Sequence, residues 1–187
     1  MTATIKTLPH YFPEVFAQRV ILSVLIFLAL CVVISLLYKD QKINKRQRNA
    51  AVILSLYIVI LLYFTVIGRY SHEEYELRLY YYYSYRRLID HFDWHNLRQL
   101  VINIAMLVPV GFLLPMVFSK RKYWKTLFAS MLLIILIEIL QMLTKSGSCE
   151  IDDMINNLIG TLFGMALYRI ASQLYRKQRL SKGNHYE

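Results

Sequence analysis

Long stretches without a single charge, separated by short clusters of lysine and arginine, are the feature that most limits what this chain can fold into. Residues 20–38 and 50–67 give 19 and 18 uncharged positions, and residues 99–118 give 20. Residues 126–144 add 19 more, interrupted only by Glu138. Each run is close to the roughly 20 residues that an α-helix needs to cross bilayer hydrocarbon. Hydrocarbon offers backbone N–H and C=O groups no partners, so runs of this length span as helices, which satisfy those groups internally. A fifth run, 154–168, is short, but Arg169 can snorkel and let the helix continue to residue 175. The sequence therefore predicts an all-α polytopic integral membrane protein. It has about five transmembrane helices, at 20–38, 50–67, 99–118, 126–144 and 154–175, in a single membrane domain over 1–187.

Composition agrees, with 57% apolar residues and a mean hydropathy of +0.38 over 187 residues. A net charge of +10 would suit a nucleic-acid partner if it lay on one polar domain. Here it is divided among the connections between apolar runs, so no nucleic acid is expected and the charge encodes topology. In alternation, loops 39–49 and 119–125 and the tail from Arg169 share one side and carry 14 Lys and Arg, against 8 on the other side. Positive-inside then puts the amino terminus outside and the carboxyl terminus inside. The first run is not read as a cleaved signal. Nineteen residues precede it, and the basic flank Lys39, Lys42, Lys45, Arg46 and Arg48 follows it as a stop-transfer sequence. Cys31 falls within an apolar run and Cys149 in a polar loop, so a disulfide between them is not expected.

The expected external segment, 68–98, holds Tyr75, Tyr80, Tyr81, Tyr82, Tyr83 and Tyr85, then Phe92 and Trp94. Amphipathic rings settle at the headgroup level, so the segment is expected to lie along the membrane.

Polar side chains inside apolar helices are costly and need a partner or a task. Asn103 lies five residues beyond Arg98, Glu138 seven before Lys145, and Asn157 four beyond Asp153. At about 1.5 Å of rise per residue, all three fall roughly 6–10 Å below the outer boundary. Gln141 shares a helix face with Glu138, and Glu150, Asp152 and Asp153 make the adjoining loop acidic. As interhelical glue, such amides contribute about 1 kcal/mol each. An ionisable Glu138 adds a functional candidate, since the carboxylates can attract a cation or the cationic part of a ligand. They lack dedicated metal-ligand spacing, so neither a metal nor another cofactor is assigned. Gly160 and Gly164 form a small-xxx-small motif whose face is expected to pack inward. Pro109, Gly111 and Pro115 are expected to kink or loosen the third span.

Two stretches together resemble the VanZ-like family of small bacterial membrane proteins. The first runs from Asn103 through Pro109 and Gly111 to Pro115, similar to the family's N-x5-P-x-G-hydrophobic segment. The second is Glu138-x2-Gln141, then Glu150, Asp152, Asp153, Asn157, Gly160 and Gly164, which resembles its E-x2-Q…D-x-x-D-x3-N-x2-G-x3-G pattern. The resemblance covers residues 97–170. Glu150 stands where aspartate is usual, and Gly147 where many members have arginine.

The resemblance implies a multi-pass protein of the bacterial cytoplasmic membrane that lowers susceptibility to teicoplanin and related lipoglycopeptides. Its expected partners are membrane lipids and a lipid-linked cell-wall precursor or the antibiotic itself, and the oligomeric state is open. The main reading is a binding or modulating protein at the outer leaflet. The alternatives are an intramembrane enzyme acting on a lipid headgroup and a structural membrane subunit. Against an enzyme, the cluster has no His or Cys and no Ser/His/Asp arrangement, so no catalytic residue is assigned.

Overall fold

The computed structural model describes residues 8–68, 77–78, 83–90, 92–118, 123–147 and 149–183. Their helices are α1 (Leu8–Lys39), α2 (Lys45–Leu62), α3 (Tyr83–Asp90), α4 (Trp94–Val117), α5 (Tyr123–Leu143) and α6 (Ile151–Gly183). Four segments are long and apolar enough to cross a membrane: Phe16–Lys39, Lys45–Ile67, Trp94–Val117 and Tyr123–Leu143. The chain is thus an all-α membrane protein. A two-residue parallel pairing of β1 (Leu77–Arg78) with β2 (Cys149–Glu150) is an addition that no periodicity announces. Residues 69–76, 79–82 and 91 of the expected external segment, including Tyr75, Tyr80, Tyr81 and Tyr82, lie outside the described residues.

Helices α1, α2, α4, α5 and α6 each begin before the apolar stretch that announced them. α1 turns Ile21, Leu25, Leu28, Val32 and Leu36 outward, each more than half exposed or close to it, as suits contact with lipid. The core is small and lies between α2, α4 and α5: Leu54 and Leu61, Leu107, Val110 and Leu114, with Ile134 and Ile137. Asn44 caps α2 in a reciprocal box with Gln47. The same Gln47 side chain donates to the Val117 carbonyl at 2.7 Å, satisfying an acceptor that the end of α4 leaves open.

The most extensive helix contact joins α4 to α6. The two run in the same direction: Gly160 rests on Ile104 and Gly164 on Val108. One turn further on, the Phe112 and Tyr168 rings meet edge to face at 6.0 Å. A Cβ on Gly111 would lie 2.1 Å from the Thr161 carbonyl oxygen, and one on Gly160 1.9 Å from that of Ile104. Backbone therefore meets backbone, which only glycine permits. The middle of α6 consequently shares the depth of the middle of α4. Pro109 and Pro115 lie inside α4 without ending it. On the turn ahead of Pro109, the Met106 carbonyl accepts a 2.7 Å hydrogen bond from the Tyr57 hydroxyl of α2.

Candidate functional site

Toward the start of α6, three helices and one turn enclose a polar cavity of about 30 Å³. Its walls include Asn103 from α4, Glu138 and Gln141 from α5, and Asp153 and Asn157 from α6. The fourth wall is Leu61 and Thr65, from the end of α2 and the π-turn Tyr63–Ile67 that follows it. Five of the seven polar residues singled out in the sequence thus line one space. Glu150 and Asp152 are not among its walls.

Several of the wall residues are held by identifiable forces. The π-turn widens the helix by one residue and changes where its carbonyls point. The Thr65 carbonyl accepts from Gln141 Nε2 at 3.3 Å, while the Thr65 hydroxyl donates to the Leu61 carbonyl at 2.8 Å. The Gln141 backbone carbonyl accepts from Ser146 N at 2.9 Å, closing the end of α5 beside Lys145, which adopts the left-handed conformation at φ 53°. Glu138 is 2% exposed, and its Oε2 accepts a long 3.4 Å contact from the Glu150 amide in β2. Asp152 and Asp153 occupy the first turn of α6, where the helix dipole favours negative charge. None of Glu138, Asp152 and Asp153 is without a partner.

Asn157 differs. It is 3% exposed, and its Oδ1 accepts no hydrogen bond from any described residue. An unsatisfied buried acceptor costs about 1–3 kcal/mol, so the position carries a standing demand for a donor. A volume near 30 Å³ accommodates one or two water-sized groups, well short of a whole lipid headgroup or drug. Among the described residues, no group of three or more His, Cys, Asp or Glu is placed to hold a metal ion.

Sequence reasoning missed Thr65, Asn156 and the role of Tyr85. Asn156 is 1% exposed, and its Oδ1 accepts from the Tyr85 hydroxyl of α3, tying α3 to α6. One residue is about 100° of helical rotation, so adjacent Asn156 and Asn157 cannot face the same way. That adjacency was the available signal. Burial pushes the Tyr85 phenol above its ordinary pKa, and the negative charges of Asp152 and Asp153 push it further. Thr126, Ser130 and Thr161 are buried hydroxyls with no hydrogen-bond partner among the described residues, and they are not among the cavity's walls.

Protein VanZ from Enterococcus faecium is 25% identical over 87 residues, which are 46% of this chain and 54% of that protein. The chain therefore spans about half the length of the curated relative it matches. No solved structure matches it. A family model described as VanZ/LLP1 matches residues 22–172, from α1 through most of α6. With a match over most of its length, the chain belongs to the VanZ/LLP1 family.

Proposed function

We propose that this protein works at the outer leaflet of a bacterial cytoplasmic membrane, lowering susceptibility to teicoplanin and related lipoglycopeptides by engaging a lipid-linked envelope component or the antibiotic. In this reading the chain crosses the membrane five times, with α6 as the fifth span and the amino terminus outside. The excess of Lys and Arg on the connections opposite the polar cavity supports that orientation.

One observation carries the functional part: the buried, unsatisfied Oδ1 of Asn157 beside Glu138 and Asp153. Interhelical glue works by bringing acceptors to donors, and Asn157 Oδ1 is the orphan that lines the cavity, whereas Thr126, Ser130 and Thr161 do not line it. An acceptor that waits is suited to a ligand that donates. The cavity size limits the donor to a compact group, such as an ammonium or hydroxyl at the end of a larger ligand lying along the membrane surface.

The test is Glu138→Gln in a susceptible Gram-positive host. The substitution keeps the shape and hydrogen-bonding capacity but removes the ionisable acid. We expect lost protection against teicoplanin with an unchanged amount of protein in the membrane. Full protection by the variant would reduce Glu138 to a packing residue. No shift in susceptibility with the unaltered protein would remove the resistance reading altogether.

A further inference from the structure

At the other end of α6 the molecule has a second, larger concavity, a groove of about 970 Å³. Arg46 at the start of α2 and Arg169, Arg176, Lys177 and Arg179 of α6 line it, and among the described residues no carboxylate does. Its floor is apolar, built from Phe112 and Met116 of α4 and Tyr168 of α6. Five cations gathered with no counter-charge among the described lining residues repel one another, which disfavours the arrangement unless an anion sits among them.

The register of α6 on α4 fixes the groove's depth. Tyr168 meets Phe112, and α4 ends five residues later, at Val117. Residue 173 of α6 is therefore level with the end of α4. At about 1.5 Å per residue, Arg169 lies roughly 6 Å inside that boundary, where a long side chain can snorkel outward. Arg176, Lys177 and Arg179 lie roughly 4–9 Å outside it, at the level of lipid phosphates. Cations at headgroup height above an apolar floor at acyl-chain height match the two halves of a phospholipid.

We propose that this groove binds an anionic phospholipid of the adjoining leaflet, with its phosphate among Arg169, Arg176 and Arg179 and its acyl chain along Phe112 and Met116. Basic recesses between membrane helices are suited to such headgroups, and a free phosphate would leave the apolar floor unused. The site is separate from the polar cavity and does not depend on its function.

The experiment uses the full chain purified in a neutral detergent and titrated with dioleoylphosphatidylglycerol, with dioleoylphosphatidylcholine, and with inorganic phosphate. Binding is followed by native mass spectrometry and by thermal unfolding. The expected result is retained phosphatidylglycerol and a raised melting temperature, with little effect from phosphatidylcholine or from inorganic phosphate. Charge removal in Arg169→Gln/Arg176→Gln/Arg179→Gln should weaken phosphatidylglycerol binding roughly a hundredfold, at about fivefold per basic residue. Lys39→Gln/Lys42→Gln, which removes charge from the same side of the protein but outside the groove, should leave binding unchanged. Should the triple variant fail to fold, the exposed Arg176→Gln and Arg179→Gln each serve alone, with about fivefold weakening expected. Equal binding by the groove variants, equal stabilisation by phosphatidylcholine, or full stabilisation by inorganic phosphate would overturn the proposal. So would a dimer that the same substitutions dissociate, since a second copy would then fill the groove.

Discussion

Gly160→Ala is a small change with a large expected effect, because it acts where α6 touches α4. The added Cβ would sit 1.9 Å from the Ile104 carbonyl oxygen, whereas ordinary contact begins near 3.4 Å. The two backbones must therefore separate by up to 3.4 − 1.9 = 1.5 Å at that point. Neither atom belongs to a flexible side chain that could swing aside. Overpacking costs about 1–3 kcal/mol, and a clash between two helix backbones belongs at the upper end of that range. Replacing glycine by alanine within a helix returns about 1 kcal/mol of propensity. The net loss is then about 2 kcal/mol, which for a chain of this size lowers the melting temperature by about 4–8 °C. Thermal unfolding of detergent-purified protein, followed by far-ultraviolet circular dichroism, measures it. A melting temperature equal to or above that of the unaltered protein would refute the close approach, because propensity alone predicts a gain.

Asn157→Leu replaces the orphaned acceptor with an apolar side chain of the same branching and heavy-atom number, whose extra bulk the adjoining cavity can take up, so stability should hold or rise by about 1 kcal/mol while teicoplanin protection falls. Thermal unfolding and susceptibility assays read the two effects separately, and a loss of stability would show that the amide was satisfied after all. Tyr85→Phe leaves the buried Asn156 Oδ1 without its donor and should loosen α3 from α6, lowering stability by about 1–3 kcal/mol near neutral pH. Because the folded-state pKa of Tyr85 is raised, its contribution is complete below the unfolded value near 10 and is lost as pH rises through the folded value. The gap in melting temperature between the unaltered protein and Tyr85→Phe should therefore narrow above pH 10, and a constant gap would exclude the phenol as its source.

The membrane helices were legible because a charge-free run constrains the backbone directly: within hydrocarbon, no competing structure satisfies its peptide groups. Asn103, Glu138 and Asn157 were legible as a set because depth is linear in residue number, given the helix rise and a charged boundary. Their facing directions were not, since these depend on how α4, α5 and α6 rotate against one another. Gly111 shows the same division. Between Pro109 and Pro115 it suggested a weakened helix, yet α4 runs on through both prolines, and Gly111 supplies the close approach to Thr161. The π-turn at Tyr63–Ile67 escaped because its residues, Tyr-Phe-Thr-Val-Ile, differ in no periodic way from the helix they continue. The tie between Tyr85 and Asn156, 71 residues apart, joins two elements that no local pattern brings together.

α6 carries a wall of the polar cavity near its first turns and most of the basic groove near its last, and between them glycine contacts fix it to α4. Those contacts bear on how the cavity can respond to a ligand. Backbone packed on backbone has no side chain to rearrange, so α6 cannot slide along α4 without opening the interface at Gly111, Gly160 and Gly164 together. Asn103 and Asn157 are therefore held at a fixed separation by the tightest part of the molecule. The opposing wall is held far more lightly. Gln141 reaches Thr65 through a single 3.3 Å hydrogen bond to a π-turn, and Glu138 meets the Glu150 amide at 3.4 Å. Any widening that admits a donor to Asn157 must accordingly come from α5 and the π-turn moving away from a rigid α4 and α6 pair. Such a movement stretches these two long hydrogen bonds and loosens the packing of Ile134 and Ile137 against α2 and α4, while the helix ladders stay intact, so it costs less than unfolding.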